Sequence, residues 1–136
     1  MWLAGRLHAL HAGARQKAGK QIHIAISNIC FEVWLLLHFQ ETVAHYSSCD
    51  DLLKRSSLKK KHIRNYGKAN KRAYSPTEIA LARKRAEHMN DQTKHGANPA
   101  WTQCHQWNPY TDVYKLLDAI DAFGDKYIQQ NNPIKS

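Results

Sequence analysis

Between Cys30 and Phe39 the chain carries Phe31, Val33, Trp34, Leu35, Leu36, Leu37 and Phe39 with almost no polar interruption. A helix that is apolar nearly all round cannot rest on a surface, so the rest of the sequence has to enclose it. Ahead of it, Ile22, Ile24 and Ile26 alternate with less apolar neighbours across residues 21–26, the period of a strand with a buried face. Ser27-Asn28 then offers an N-cap. Leu3, Leu7 and Leu10 recur at helical spacing and predict an amphipathic helix over residues 2–16, which Gly19 closes. Helix, strand, tight turn and buried helix is the order of an α/β domain, with one clear strand among surrounding helices.

The chain has 136 residues, enough for one domain. Within it, residues 1–50 form the helix–strand–buried-helix core, 51–96 a basic helical region, and 97–136 an aromatic loop followed by an acidic C-terminal helix. Lys54, Arg55, Lys59, Lys60, Lys61, Arg64, Lys68, Lys71 and Arg72 follow one another with no carboxylate between them, and they are the source of a formal net charge of +9. Ser75-Pro76-Thr77-Glu78 is a capping box with proline at the first helical position. The stripe Ile79, Ala82, Ala86 and Met89 carries that helix towards Gly96. Pro99, Trp101, Trp107 and Pro109 mark a loop. Thr111 is placed as the cap of a last helix whose Val113, Leu116, Leu117 and Ile120 face inward, while Asp112, Asp118, Asp121 and Asp125 make it acidic. The C-terminal half is therefore helix-rich.

Composition excludes several classes. A basic surplus argues against an acidic partner and for an anionic one. The apolar run Val33–Leu37 is far too short to span a bilayer, and the N-terminus lacks the pattern of a signal peptide, so a cytoplasmic protein without a membrane partner is expected. Cys30, Cys49 and Cys104 form no C-x-x-C pair and are odd in number, which suits a reducing compartment better than a disulfide framework. Neither the neighbours Cys104 and His105 nor Cys49 with His62 have the spacing of a zinc finger or ribbon.

The run from Ser27 to Phe39, S-N-I-C-F-E-V-W-L-L-L-H-F, resembles the signature of the RloB-like family, S-N-P-C-F-E-x-W-L-L-L-H-F, and departs from it only at Ile29. Residues 108–116, N-P-Y-T-D-V-Y-K-L, look like the closing element of that family, and the basic stretch ending Tyr66-Gly67-Lys68 is similar to its middle. The resemblance implies a Toprim-like fold, a place in bacterial restriction-modification and abortive-infection (phage-defence) loci, an accompanying ATPase, and metal-dependent nuclease chemistry. That chemistry needs a glutamate after the first strand and an Asp-x-Asp after a later one, to grip Mg²⁺. Nothing ahead of Ser27 is Asp or Glu. The expectation is therefore a truncated or split C-terminal portion of such a domain, with Mg²⁺ held only when a complementing chain supplies carboxylates and without catalysis of its own. Ile29 in place of proline removes a preset φ at the first position of the helix.

Glu32 is the candidate metal ligand and catalytic residue, with Asn28 as its positioner, because ligands of open α/β sheets gather beyond the carboxyl ends of strands. The plainer account of Glu32 is a carboxylate complementing a helix dipole. His38, set in apolar surroundings, reads as a core histidine satisfied by one backbone acceptor. The basic run from Lys54 to Arg72 is either a solvated face or a salt-sensitive nucleic-acid surface, for DNA or RNA, with Tyr66 and Tyr74 as stacking surfaces. The acidic last helix folding back on it is the competing account. A protein-interaction role, docking an ATPase, is a further possibility. A sheet reduced to so few strands leaves an edge through which copies could self-associate.

Overall fold

The computed structural model describes residues 24–63 and 73–131. The helix expected over residues 2–16, the start of the strand at residues 21–23, and Arg64, Tyr66, Lys68, Lys71 and Arg72 lie outside the described residues. In chain order the elements are β1 (Ser27–Asn28), α1 (Glu32–Leu37), α2 (Cys49–Arg55), a π-helical turn (Leu58–His62), α3 (Pro76–Gly96), a 3-10 turn (Cys104–Gln106), β2 (Tyr110–Thr111) and α4 (Val113–Asn131). The fold is helix-rich around a small two-stranded sheet, consistent with the α/β class.

The apolar segment forms α1, and its burial is as the pattern requires: Val33, Trp34, Leu36 and Leu37 are all buried. Around them close Tyr46, Leu52 and Leu58 from the segment that follows, Ile63, and the inward stripe Ala82, Ala86 and Met89 of α3. Small residues at 82 and 86 let the two helices approach closely. Each fully enclosed leucine contributes about 1.5–3 kcal/mol through removal of its surface from water. His38 follows α1 and is buried; its Nδ1 lies 2.9 Å from the Trp34 carbonyl oxygen, a backbone partner of the kind expected of a core histidine. Arg85 Nη1 donates to the Leu37 carbonyl oxygen at 2.9 Å, so α3 satisfies part of the exposed end of α1. The capping box at Ser75 is present in full: Ser75 Oγ accepts from Glu78 N at 3.1 Å, and the Glu78 side chain accepts from Ser75 N.

The sheet differs from the expectation. Ser27 and Asn28 are the strand itself rather than a helix cap, and α1 begins at Glu32 with no side-chain cap. Ile29 therefore precedes the helix instead of opening it. The Asn28–Ile29 and Asn108–Pro109 peptide bonds are both cis. The partner strand is Tyr110–Thr111, antiparallel, with Ser27 opposite Thr111 and Asn28 opposite Tyr110. Thr111, expected to cap the last helix, is a fully buried strand residue, although its Oγ1 still accepts from Val113 N at 3.5 Å. Asp112 extends the pairing: its N–H donates to the Ile26 carbonyl oxygen at 3.0 Å, and its Oδ1 accepts from Ile26 N at 2.6 Å. In this register the N–H and C=O of Thr111 point away from β1. Asn90 of α3 takes both, accepting from Thr111 N at 3.1 Å and donating to the Thr111 carbonyl oxygen at 2.8 Å. On the β2 side, the edge of the sheet is thus occupied at Thr111 by a side chain.

α4 packs on the core through Val113, Tyr114 and Leu117. Ile120, expected to face inward, is 57% exposed, because the packing of α4 on the core ends a turn earlier. Asp118 pairs with Arg83 of α3, so this acid of the last helix serves α3 rather than the basic run.

Candidate functional site

Glu32 opens α1, and α2 opens beside it. Ser48 sets the start of α2 by accepting from Asp51 N at 3.0 Å through Oγ, which makes Cys49 the first residue of that helix. The Cys49 thiol donates to Glu32 Oε2 at 3.2 Å. Cys30 completes the group: the two Sγ atoms and the Glu32 carboxylate oxygen all lie within 4.8 Å of one another. All three residues are half-buried. Burial pushes the Cys30 thiol well above the ordinary thiol range, and hydrogen bonding to Cys49 and Glu32 pushes the same way. The Cys49 thiol is also raised, by burial first and then by the adjacent carboxylate. Cys104 lies apart from the group, and burial raises its thiol as well.

Asn28 stands close by in sequence but is turned to a different task. Its side-chain amide donates to the carbonyl oxygens of Trp107, at 2.8 Å, and His105, at 3.2 Å, and so ties β1 to the 3-10 turn. Asn28 thus holds the aromatic loop, while Glu32 faces two thiols.

The basic run divides. Arg55 is neutralised within its own helix by Asp51, at 2.6 Å, and lies over the ring of Tyr46. Hydrogen bonds from Arg55, then from Ser47, hold the Asp51 carboxyl down to about 2. Lys54 and the consecutive Lys59, Lys60 and Lys61 are exposed and make no ion pair with any described carboxylate. The three consecutive lysines are displayed on the π-helical turn, which is closed by the bond from Ile63 N to the Leu58 carbonyl oxygen at 2.7 Å. His62 at its end stacks on Phe39 at 4.4 Å, which anchors the lysines to the core. Tyr74, expected as a stacking surface, packs against His38 and Phe39 instead.

A second feature lies on the aromatic loop. His45, Thr93, Trp101, Trp107 and Asn108 line one cleft. Among the described residues, Thr93 Oγ1 and Asn108 Oδ1 are the buried side-chain polar atoms without a hydrogen-bond partner, and both belong to this lining. Lys94 Nζ sits 4.8 Å from the centre of the Trp107 ring.

Sequence reasoning singled out Glu32 and the lysines as candidates, but it did not group Cys30 and Cys49 with Glu32 and did not single out the cleft. The two cysteines are separated by a whole helix and loop, a spacing that gave no signal of their meeting. No helix among the described residues is long and apolar enough to cross a membrane. Residues 5–120 match the family model described as RloB-like protein. No curated protein and no solved structure matches the chain.

Proposed function

Because this chain belongs to the RloB-like protein family, we propose that it serves bacterial phage defence in the cytoplasm as a nucleic-acid-binding component, related to the Toprim type and working beside an ATPase. The observation that carries the binding role is the exposed triplet Lys59, Lys60 and Lys61, with Lys54 nearby, none of it neutralised by a described carboxylate. Like charges held together on one short turn repel; phosphates neutralise them, and the counterions condensed on the nucleic acid are released as they do so. Arg64, Lys68, Lys71 and Arg72 continue the same run in sequence. The rings of Trp101 and Trp107 flank a cleft, and aromatic faces are the surfaces on which an unstacked base stacks.

Catalysis is assigned to this chain only in company. Mg²⁺ takes oxygen ligands, and two of the three donors gathered at Glu32 are sulfur. The described residues around Glu32 therefore do not fit Mg²⁺ by themselves, and Glu32 would contribute to such a site only beside carboxylates of a complementing chain.

The test is binding of DNA and of RNA oligonucleotides across a range of salt concentrations. Replacing Lys59, Lys60 and Lys61 by Gln is expected to weaken binding alike for unrelated sequences. It should also lower the slope of log affinity against log salt by about one for each lysine that meets a phosphate. An unchanged slope would remove the reading, and in that case nuclease-resistant capture of the ATPase would favour a docking role.

A further inference from the structure

We propose that Cys30, Glu32 and Cys49 form a binding site for a borderline-soft divalent cation of the Zn²⁺ class, which fastens the start of α1 to the start of α2. The group is distinct from the basic surface and does not depend on the nucleic-acid reading.

Geometry is the first support. Zn²⁺ binds thiolate sulfur at about 2.3 Å and carboxylate oxygen at about 2.0–2.2 Å, so tetrahedral ligands stand about 3.5–3.8 Å from one another. Cys49 Sγ and Glu32 Oε2 are 3.2 Å apart, and all three donor atoms fall within 4.8 Å. Shifts of up to about one ångström, within reach of side-chain rotation, bring them to coordination distance. Donor chemistry is the second support. Two sulfurs and one carboxylate select Zn²⁺ over Mg²⁺ or Ca²⁺, which demand oxygen. The fold is the third. Cys49 lies 17 residues after Glu32, and it is the intervening loop and the Ser48 cap that bring the two helix starts together, so the donors are held by separate elements. Three protein ligands and a water complete four-coordination, the arrangement of zinc sites that keep one open position. On binding, two S–H bonds are replaced by two Zn–S bonds, and both protons pass to solvent.

The experiment uses the full chain, kept reduced with a non-thiol reductant. Zn²⁺ is titrated in competition with a chromogenic chelator, and thiol alkylation is mapped with and without the metal. The expected result is one equivalent bound, with Cys30 and Cys49 protected from alkylation and Cys104 not. C49S and E32Q are each expected to lower affinity at least about tenfold, and C104S to leave it unchanged. Co²⁺ in place of Zn²⁺ is expected to give thiolate-to-metal charge-transfer absorption that falls to about half in C49S, with one of two thiolates lost, and persists in E32Q. Because Cys30 packs against the core, C30S could fail to fold, and C49S with E32Q carries the test without it. The proposal is overturned if no stoichiometric site appears, if binding survives both C49S and E32Q, or if the protected thiol is Cys104.

Discussion

Asn90 lies on the inner face of α3, 4% exposed, and its carboxamide meets the backbone N–H and C=O of Thr111 as a neighbouring strand would. Removing it leaves two main-chain groups buried without partners. Asn90→Ala is accordingly expected to cost about 2–4 kcal/mol, measured by denaturant unfolding; a loss below about 0.5 kcal/mol would mean that water replaces the amide without penalty. This residue was not legible in the sequence, because a buried asparagine carries no periodic signal and its partner is 21 positions away. His38 was legible, since an imidazole inside a continuous apolar helix has few partners except the turn before it, and it meets the Trp34 carbonyl. Glu32 was visible as a carboxylate at a helix start, whereas its two sulfur neighbours were not. Cysteines separated by a whole loop match none of the close ligand pairs by which metal sites are recognised.

Among the elements, α3 shows local chemistry and tertiary packing in agreement. Its start is written in Ser75-Pro76-Thr77-Glu78 and its end at Gly96, and of the expected stripe Ile79, Ala82, Ala86 and Met89 the last three are buried while Ile79 is only half-buried. Ser75→Ala removes the acceptor for Glu78 N and is expected to destabilise the fold by about 1 kcal/mol, read as a lower midpoint in thermal unfolding followed by circular dichroism. No change in that midpoint would mean that tertiary contacts alone fix where α3 begins. The strands were harder to read for a physical reason. A two-residue strand such as Tyr110–Thr111 has no room for an alternating pattern, so its identity comes wholly from the partner it meets. The same ambiguity turned Ser27-Asn28 from expected cap into strand.

For the molecule as a whole, the charge balance and the donor inventory point in different directions. The net charge of +9 suits a polyanion. Yet among the described residues the one cluster of three metal-capable side chains holds a single carboxylate, whereas phosphoryl transfer by Mg²⁺ calls for several. The isolated chain supplied with Mg²⁺ is therefore expected to leave DNA and RNA intact, checked by gel analysis of labelled substrates; digestion abolished by a chelator would refute that expectation. The resemblance carried by residues 27–39 made the family legible, and the buried helix it contains organises the core. The small sheet has a bearing on assembly. With the outward hydrogen-bonding groups of Thr111 already occupied by Asn90, an extended peptide cannot lengthen the sheet on that flank. Recruitment of another polypeptide there would have to proceed through side chains rather than through main-chain zippering.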